Sequence, residues 1–145
     1  MFDRARIRGL IPHAGAMCLL DEVLSWSAET ITCRTAAHLS PGNPLRRDDR
    51  LAAICGAEFG LQAAALHGAL RAGGEPQPAG YVAALRSIVL TTERLDDPAL
   101  GALTVTALLD RADTAGTIYR FALLAESGAQ VLSGAATIIL PRPKE

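Results

Sequence analysis

Residues 51–70, LAAICGAEFGLQAAALHGAL, are apolar all round a helix yet carry a carboxylate, Glu58, near the middle. A charge in such a run costs free energy unless it is paired, neutralised or used. Four residues on stands an amide, Gln62, a spacing that puts both on one helix face. The run approaches the ~20 residues of a membrane span. But Glu58, Gln62 and His67 interrupt it, many of its residues are Ala or Gly, and Arg50 and Arg71 flank it on both sides. A helix buried inside a globular fold explains the all-round apolarity better, and no membrane span is expected.

Outward from this helix the punctuation is legible. Upstream, LSPGNPLRRDDR (39–50) is a loop, and Asp48 and Asp49 stand where an N-cap belongs. The helix is expected over residues 50–72, roughly 35 Å at 1.5 Å per residue, with Gly73 and Gly74 as its stop. Gly56, Gly60 and Gly68 are poor helix formers, expected to let the helix approach a sheet closely. After the loop GGEPQPAG, strands are expected over 81–94, 103–112, 117–127 and 130–140, with turns at 96–101, 113–116 and 127–128. Before the helix, 7–16 reads as a loop or short turn around Pro12 and Gly15. Residues 17–26 and 30–38 read as two strands joined at 27–29, and the tail PRPKE as a frayed end. Strands linked by short turns pair antiparallel, and one long helix must cover the sheet they form. The expected class is α+β, a curved antiparallel sheet around a central helix, in a single domain of 145 residues.

Half the chain is apolar but only 4% is aromatic, so Ala and Leu carry the packing. With 14 basic and 15 acidic residues, net charge −1, there is no electrostatic footprint for nucleic acid and no basic stripe for anionic lipid. Cys18, Cys33 and Cys55 match no disulfide framework and no zinc spacing. They read as small buried hydrophobes suited to a reducing, cytoplasmic location. The N-terminus lacks the apolar stretch of a signal peptide. No G-x-S-x-G, H-E-x-x-H, C-x-x-C, P-loop or G-x-G-x-x-G motif is present.

Two readings of Glu58 stand side by side: a general acid held by Gln62, or a buried carboxylate satisfied across an interface. An apolar site raises a carboxyl pKa and suits it to acid catalysis near neutrality. His13, in the loop between Pro12 and Gly15, offers a base, against a plain structural or solvated histidine. His38 ends a strand. His67 follows Glu58 by nine residues, which at 100° each turns it to the opposite side, toward the core or an interface. Asn43, Arg46 and Arg47 crowd the loop before the helix, as an anion or oxyanion site or as a solvated charged turn.

IPHAGAMCLLDEVL (11–24) resembles the opening of the hot-dog fold 3-hydroxyacyl-ACP dehydratases, a Pro-His loop running into a Leu-rich strand ending in Asp. The helix segment resembles that family's L-x-x-E-A-M-A-Q-A helix, and GYVAALRSIVL (80–90) its following strand. The similarity covers nearly the whole chain. NPLR (43–46), EFGLQAAALHGAL (58–70) and IYRF (118–121) look closer still to the dehydratase-like proteins of aryl polyene gene clusters. The resemblance implies a hot-dog dimer with itself or with a related hot-dog protein. It implies a site at the interface and a tunnel for an acyl chain delivered by acyl carrier protein. The reaction implied is loss of water from a 3-hydroxyacyl thioester, with no metal or redox cofactor. Glu58 falls on the catalytic carboxylate as acid and Gln62 on the helix amide that orients it. His13 would be the base, with Asn43 and Arg46 on the substrate side and helix-start amides steadying the thioester oxygen. One departure is plain: where the family has a G-H-F-P-G loop, this chain has SPGNPLRRDDR, with Pro44 at the histidine position, and RLAA replaces its P-G-V turn. Three readings follow: a dehydratase whose base comes from elsewhere, a catalytically impaired subunit supporting an active partner, or a thioesterase.

Overall fold

The structure, a computed structural model, describes residues 2–12, 15–77 and 80–140. Its elements are α1 (Arg4–Arg8), β1 (Glu22–Trp26), β2 (Thr30–Thr35), α2 (Gly56–Arg71), β3 (Tyr81–Leu90), β4 (Leu103–Ala112), β5 (Gly116–Leu124) and β6 (Gln130–Ile139). The strands form one sheet in the order β1-β2-β4-β5-β6-β3, with every pair antiparallel. The β4-β5-β6 meander follows chain order. β3 instead lies beyond β6, so β4 pairs with β2 and the chain crosses the sheet between them. α2 lies in that crossing and packs on β2, β4, β5 and β6. Phe59, Leu66, Leu123 and Leu132 are fully buried in the shared core, each worth about 1.5–3 kcal/mol of transfer free energy.

The expected α+β plan is present, and two of its shifted boundaries share one cause. The helix begins at Gly56, not at residue 50. Residues 51–53 instead pair with the segment after β3: Ala53 N–H donates to the Glu93 carbonyl (3.0 Å), and Leu95 N–H to the Leu51 carbonyl (2.8 Å). The same pairing ends β3 at Leu90 rather than 94. Leu51 and Ala53 are buried by this arrangement, which satisfies their apolar character without a helix. Asp48 and Asp49 are therefore not caps. They occupy left-handed backbone (φ +52° and +60°) in a turn closed by reciprocal bonds between Arg47 and Arg50. The stop at Gly73 and Gly74 is as expected. Both have positive φ, and their N–H groups bond back to Leu70 and Ala69, the Schellman pattern.

The first expected strand, 17–26, shrinks to Glu22–Trp26. Residues 17–19 spend their backbone groups on side chains: Met17 C=O and Leu19 N–H on Gln62, and Leu19 C=O on the Thr35 hydroxyl. The second ends at Thr35, and His38 sits in a short 3₁₀ turn, Ala37–Leu39. Part of the expected 7–16 loop is α1, capped by Asp3, whose carboxylate accepts from Arg6 N–H. Five residues are too few for a periodic signal. The expected frayed tail, 141–145, lies outside the described residues. All three thiols are free.

β3 is the exception to tight burial. Tyr81, Val82, Leu85, Val89 and Leu90 are all exposed, Tyr81 to 69%, and one edge of the strand has no neighbour among the described residues. Bulges interrupt its pairing with β6, and Ser87 there adopts φ +56°.

Candidate functional site

α2 is buried on two sides of different character. One side meets the sheet. The other lines a cavity of about 490 Å³, along which Glu58, Leu61, Ala64, Ala65, Gly68 and Arg71 follow one another. Glu58 stands in the first helical turn, half-buried, where the helix dipole favours a negative charge. Arg71, in the last turn, ends the wall about 20 Å away along the axis. Leu10 and Pro12 close the cavity from the N-terminal segment, and Val82, Tyr119 and Ile138 from the sheet. One turn before Glu58, burial pushes the Cys55 thiol pKa up, and the Glu58 carboxylate adds to the effect.

Gln62 is fully buried, and its amide is used twice. Its oxygen accepts from Leu19 N–H (2.8 Å), and its nitrogen donates to the Met17 carbonyl (2.6 Å). It thus fastens the segment after the His13 loop to α2, a correction to its expected role on Glu58 or substrate. Asn43 and Arg46 also differ from expectation, since neither lines the cavity. Asn43 holds its own loop, donating to the Ala37 carbonyl and accepting from Leu45 N–H. Arg46 reaches Asp96 (3.1 Å) and Asp49 (3.0 Å). Asp96 also takes a two-point bond from Arg94, which holds its carboxyl below the usual carboxylate range. Arg47 donates to the carbonyls of Pro44 and Arg46. Of the expected helix-start amides, that of Gly56 is occupied, bonding to the carbonyls of Ala53 and Ile54.

The histidines separate cleanly. His67 is fully buried on the sheet side, as its angular position implies. Its Nε2 lies 2.8 Å from the Ser27 carbonyl and its Nδ1 2.6 Å from the Tyr119 hydroxyl. Those partners assign a neutral ring: Nε2–H donates, and Nδ1 accepts from Tyr119. Burial lowers the His67 pKa and raises that of Tyr119 to about 12. His38 is also buried, with Nε2 on the Gly101 carbonyl (2.7 Å) and Nδ1 without a partner among the described residues. Burial lowers its pKa. His13 lies outside the described residues.

Arg71, Tyr119 and Gly68 also line the cavity; none was assigned to it from sequence, where Gly68 was expected to face a sheet. Arg71 was not legible as a neighbour of Glu58, since thirteen residues at 100° each turn it about 140° away. Nor was Tyr119, because only strand pairing brings it under the helix. Among the described residues no group of three or more His, Cys, Asp or Glu is placed to hold a metal ion. No helix among them is long and apolar enough to cross a membrane.

In solved structures the fold recurs with low sequence identity. The chain is similar to the dehydratase heterocomplex ApeI:P from Xenorhabdus doucetiae, with TM-score 0.79, 16% identity, and 98% of this chain and 93% of that one covered. It is similar to zebra fish thioesterase superfamily member 2, with TM-score 0.66, 14% identity and 95% of each chain covered. AziG of S. sahachiroi matches with TM-score 0.64, 13% identity, and 88% and 94% covered. These likenesses show the hot-dog fold. Curated protein sequences give no significant match. A family model, ApeP-like, described as ApeP dehydratase, matches residues 5–145.

Proposed function

The chain belongs to the ApeP-like dehydratase family, and on that premise we propose that it removes water from 3-hydroxyacyl thioesters carried on acyl carrier protein. The observation that carries this reading is Glu58, a carboxylate set into the wall of a long, mainly apolar cavity. An apolar groove along a helix suits an acyl chain, and a carboxyl group at its end is placed for proton transfer.

In the proposed reaction His13 takes the C2 proton. The electron pair left behind forms the C2–C3 double bond, and the C3 hydroxyl departs as water with a proton from Glu58. What supports His13 is its neighbourhood in the chain. Pro12 lines the cavity, and the Gln62 amide ties Met17 and Leu19 to the helix that carries Glu58. Gln62 acts here as a positioning residue for that segment. The part of His13 and Glu58 in this elimination is proton transfer.

A hot-dog partner completes the proposal. The exposed apolar β3 edge is the kind of surface that pairs with another strand. The Xenorhabdus complex is named a dehydratase heterocomplex, which favours a related hot-dog protein as that partner over a second copy.

The test is turnover of 3-hydroxyacyl-ACP by the protein alone and with a hot-dog partner. Glu58→Gln should lower turnover about 10²–10⁴-fold while leaving the melting temperature in place. If His13→Ala retains full activity, the base is another group. Turnover that Glu58→Gln leaves intact in the complex would make this chain a supporting subunit. Release of free thiol would make it a thioesterase.

A further inference from the structure

Of the three glycines in α2, the sheet demands two. A Cβ on Gly56 would lie 3.0 Å from Leu123 and 3.1 Å from Leu132, and one on Gly60 would overlap the Phe121 ring. Gly68 differs: a Cβ there would meet nothing within 4 Å, and its φ is not positive. Neither packing among the described residues nor backbone conformation requires glycine at this position. Glycine is also the poorest helix former after proline, so the choice runs against local preference, as residues kept for function do. What Gly68 does face is the cavity, between Ala65 and Arg71.

We infer that Gly68 is a specificity-determining residue that sets how long an acyl chain the cavity accepts. The inference rests on the dehydratase reading of Glu58, which fixes the reacting end of the substrate. Gly68 lies ten residues beyond Glu58, about 15 Å along the axis. Beyond Leu61, Ala64 and Ala65 keep the wall low, and Gly68 keeps it open onward to Arg71. A branched side chain at 68 would stand in the path of the chain without touching the protein's own core. Short substrates would end before reaching it, while long ones would collide with it.

The experiment measures affinity for 3-hydroxyacyl-pantetheine thioesters of graded straight-chain length, using wild type, Gly68→Leu and Gly68→Ala. For wild type, affinity should rise by about fourfold per methylene buried until the groove is filled. In Gly68→Leu the rise should stop several carbons earlier, with the shortest thioesters bound as in wild type. Gly68→Ala should move the break point less, in the same direction, and decides the matter if the leucine variant fails to fold. An unchanged length profile in the folded variants overturns the inference while leaving the Glu58 reading intact. So does a changed assembly mass by sedimentation, which would mean that Gly68 packs against another chain. If wild type binds no acyl thioester, the reading of Glu58 itself falls, and Gly68 with it.

Discussion

The two sides of α2 differ in the room they leave, and Gly60 and Gly68 measure the difference. The same residue type recurs two turns apart on one helix. At Gly60 the Phe121 ring occupies the place of a side chain; at Gly68 no described residue does. The polar groups divide the same way. Toward the sheet, His67 is saturated by Ser27 and Tyr119. Toward the cavity, Glu58 stands half-buried at a wall. One face is committed to stability, and the other keeps space and a carboxylate. An all-round apolar helix can thus hide two unlike environments under one composition.

The sharpest way to break this comparison is to fill the glycines. Gly60→Ala should destabilise the fold by about 1–3 kcal/mol through overpacking, read as a lower urea midpoint with an unchanged slope. Adding Phe121→Leu should recover part of the loss if the ring is the obstacle, which a double-mutant cycle reports. Next in size is Tyr119→Phe, expected to cost about 1–3 kcal/mol because the buried Nδ1 of His67 loses its donor. A neutral effect would show that the pair is not the anchor of the sheet side.

Acid should separate the faces further. His38 and His67 have folded pKa values below 6.5, from burial first. His67 faces Tyr119 and Ser27, with the Arg71 and Glu29 charges acting on it in opposite directions. Below pH 6.5 the unfolded chain binds protons that the native state refuses, so stability should fall as pH drops through that value. The depressed Asp96 carboxyl contributes stability above pH 3.8 that is lost at lower pH. A melting temperature flat from pH 7 to 5 would contradict the neutral, buried histidines. The smallest effect is expected at the open position. Gly68→Ala should stabilise by about 0.5–1 kcal/mol, the ordinary gain of alanine over glycine in a helix, opposite in sign to Gly60→Ala.

Much of the plan was legible because it rests on local signals. The Gly73–Gly74 stop, the β4 bounds and the placement of Glu58 and His67 on opposite helix sides follow from periodicity and turn chemistry. The helix start was misread for a physical reason. Leu51 and Ala53 look helical by apolarity, yet their burial comes from pairing with residues 93–95, a contact across some forty residues. Gln62, Asn43 and Arg46 were assigned to the site by position. Their actual partners, the backbone of Met17, Leu19 and Ala37 and the Asp96 carboxylate, are set by how loops meet.

By itself the sequence determined the element types, the central helix and the one carboxylate that its apolar run has to accommodate, since these depend on neighbours within a few residues. Only the tertiary structure decided that β3 sits beyond β6, that one helix face keeps a cavity, and that of three similar glycines only Gly68 meets no described residue. Those outcomes depend on which distant surfaces meet, and steric fit across the sheet, rather than local preference, selects among them.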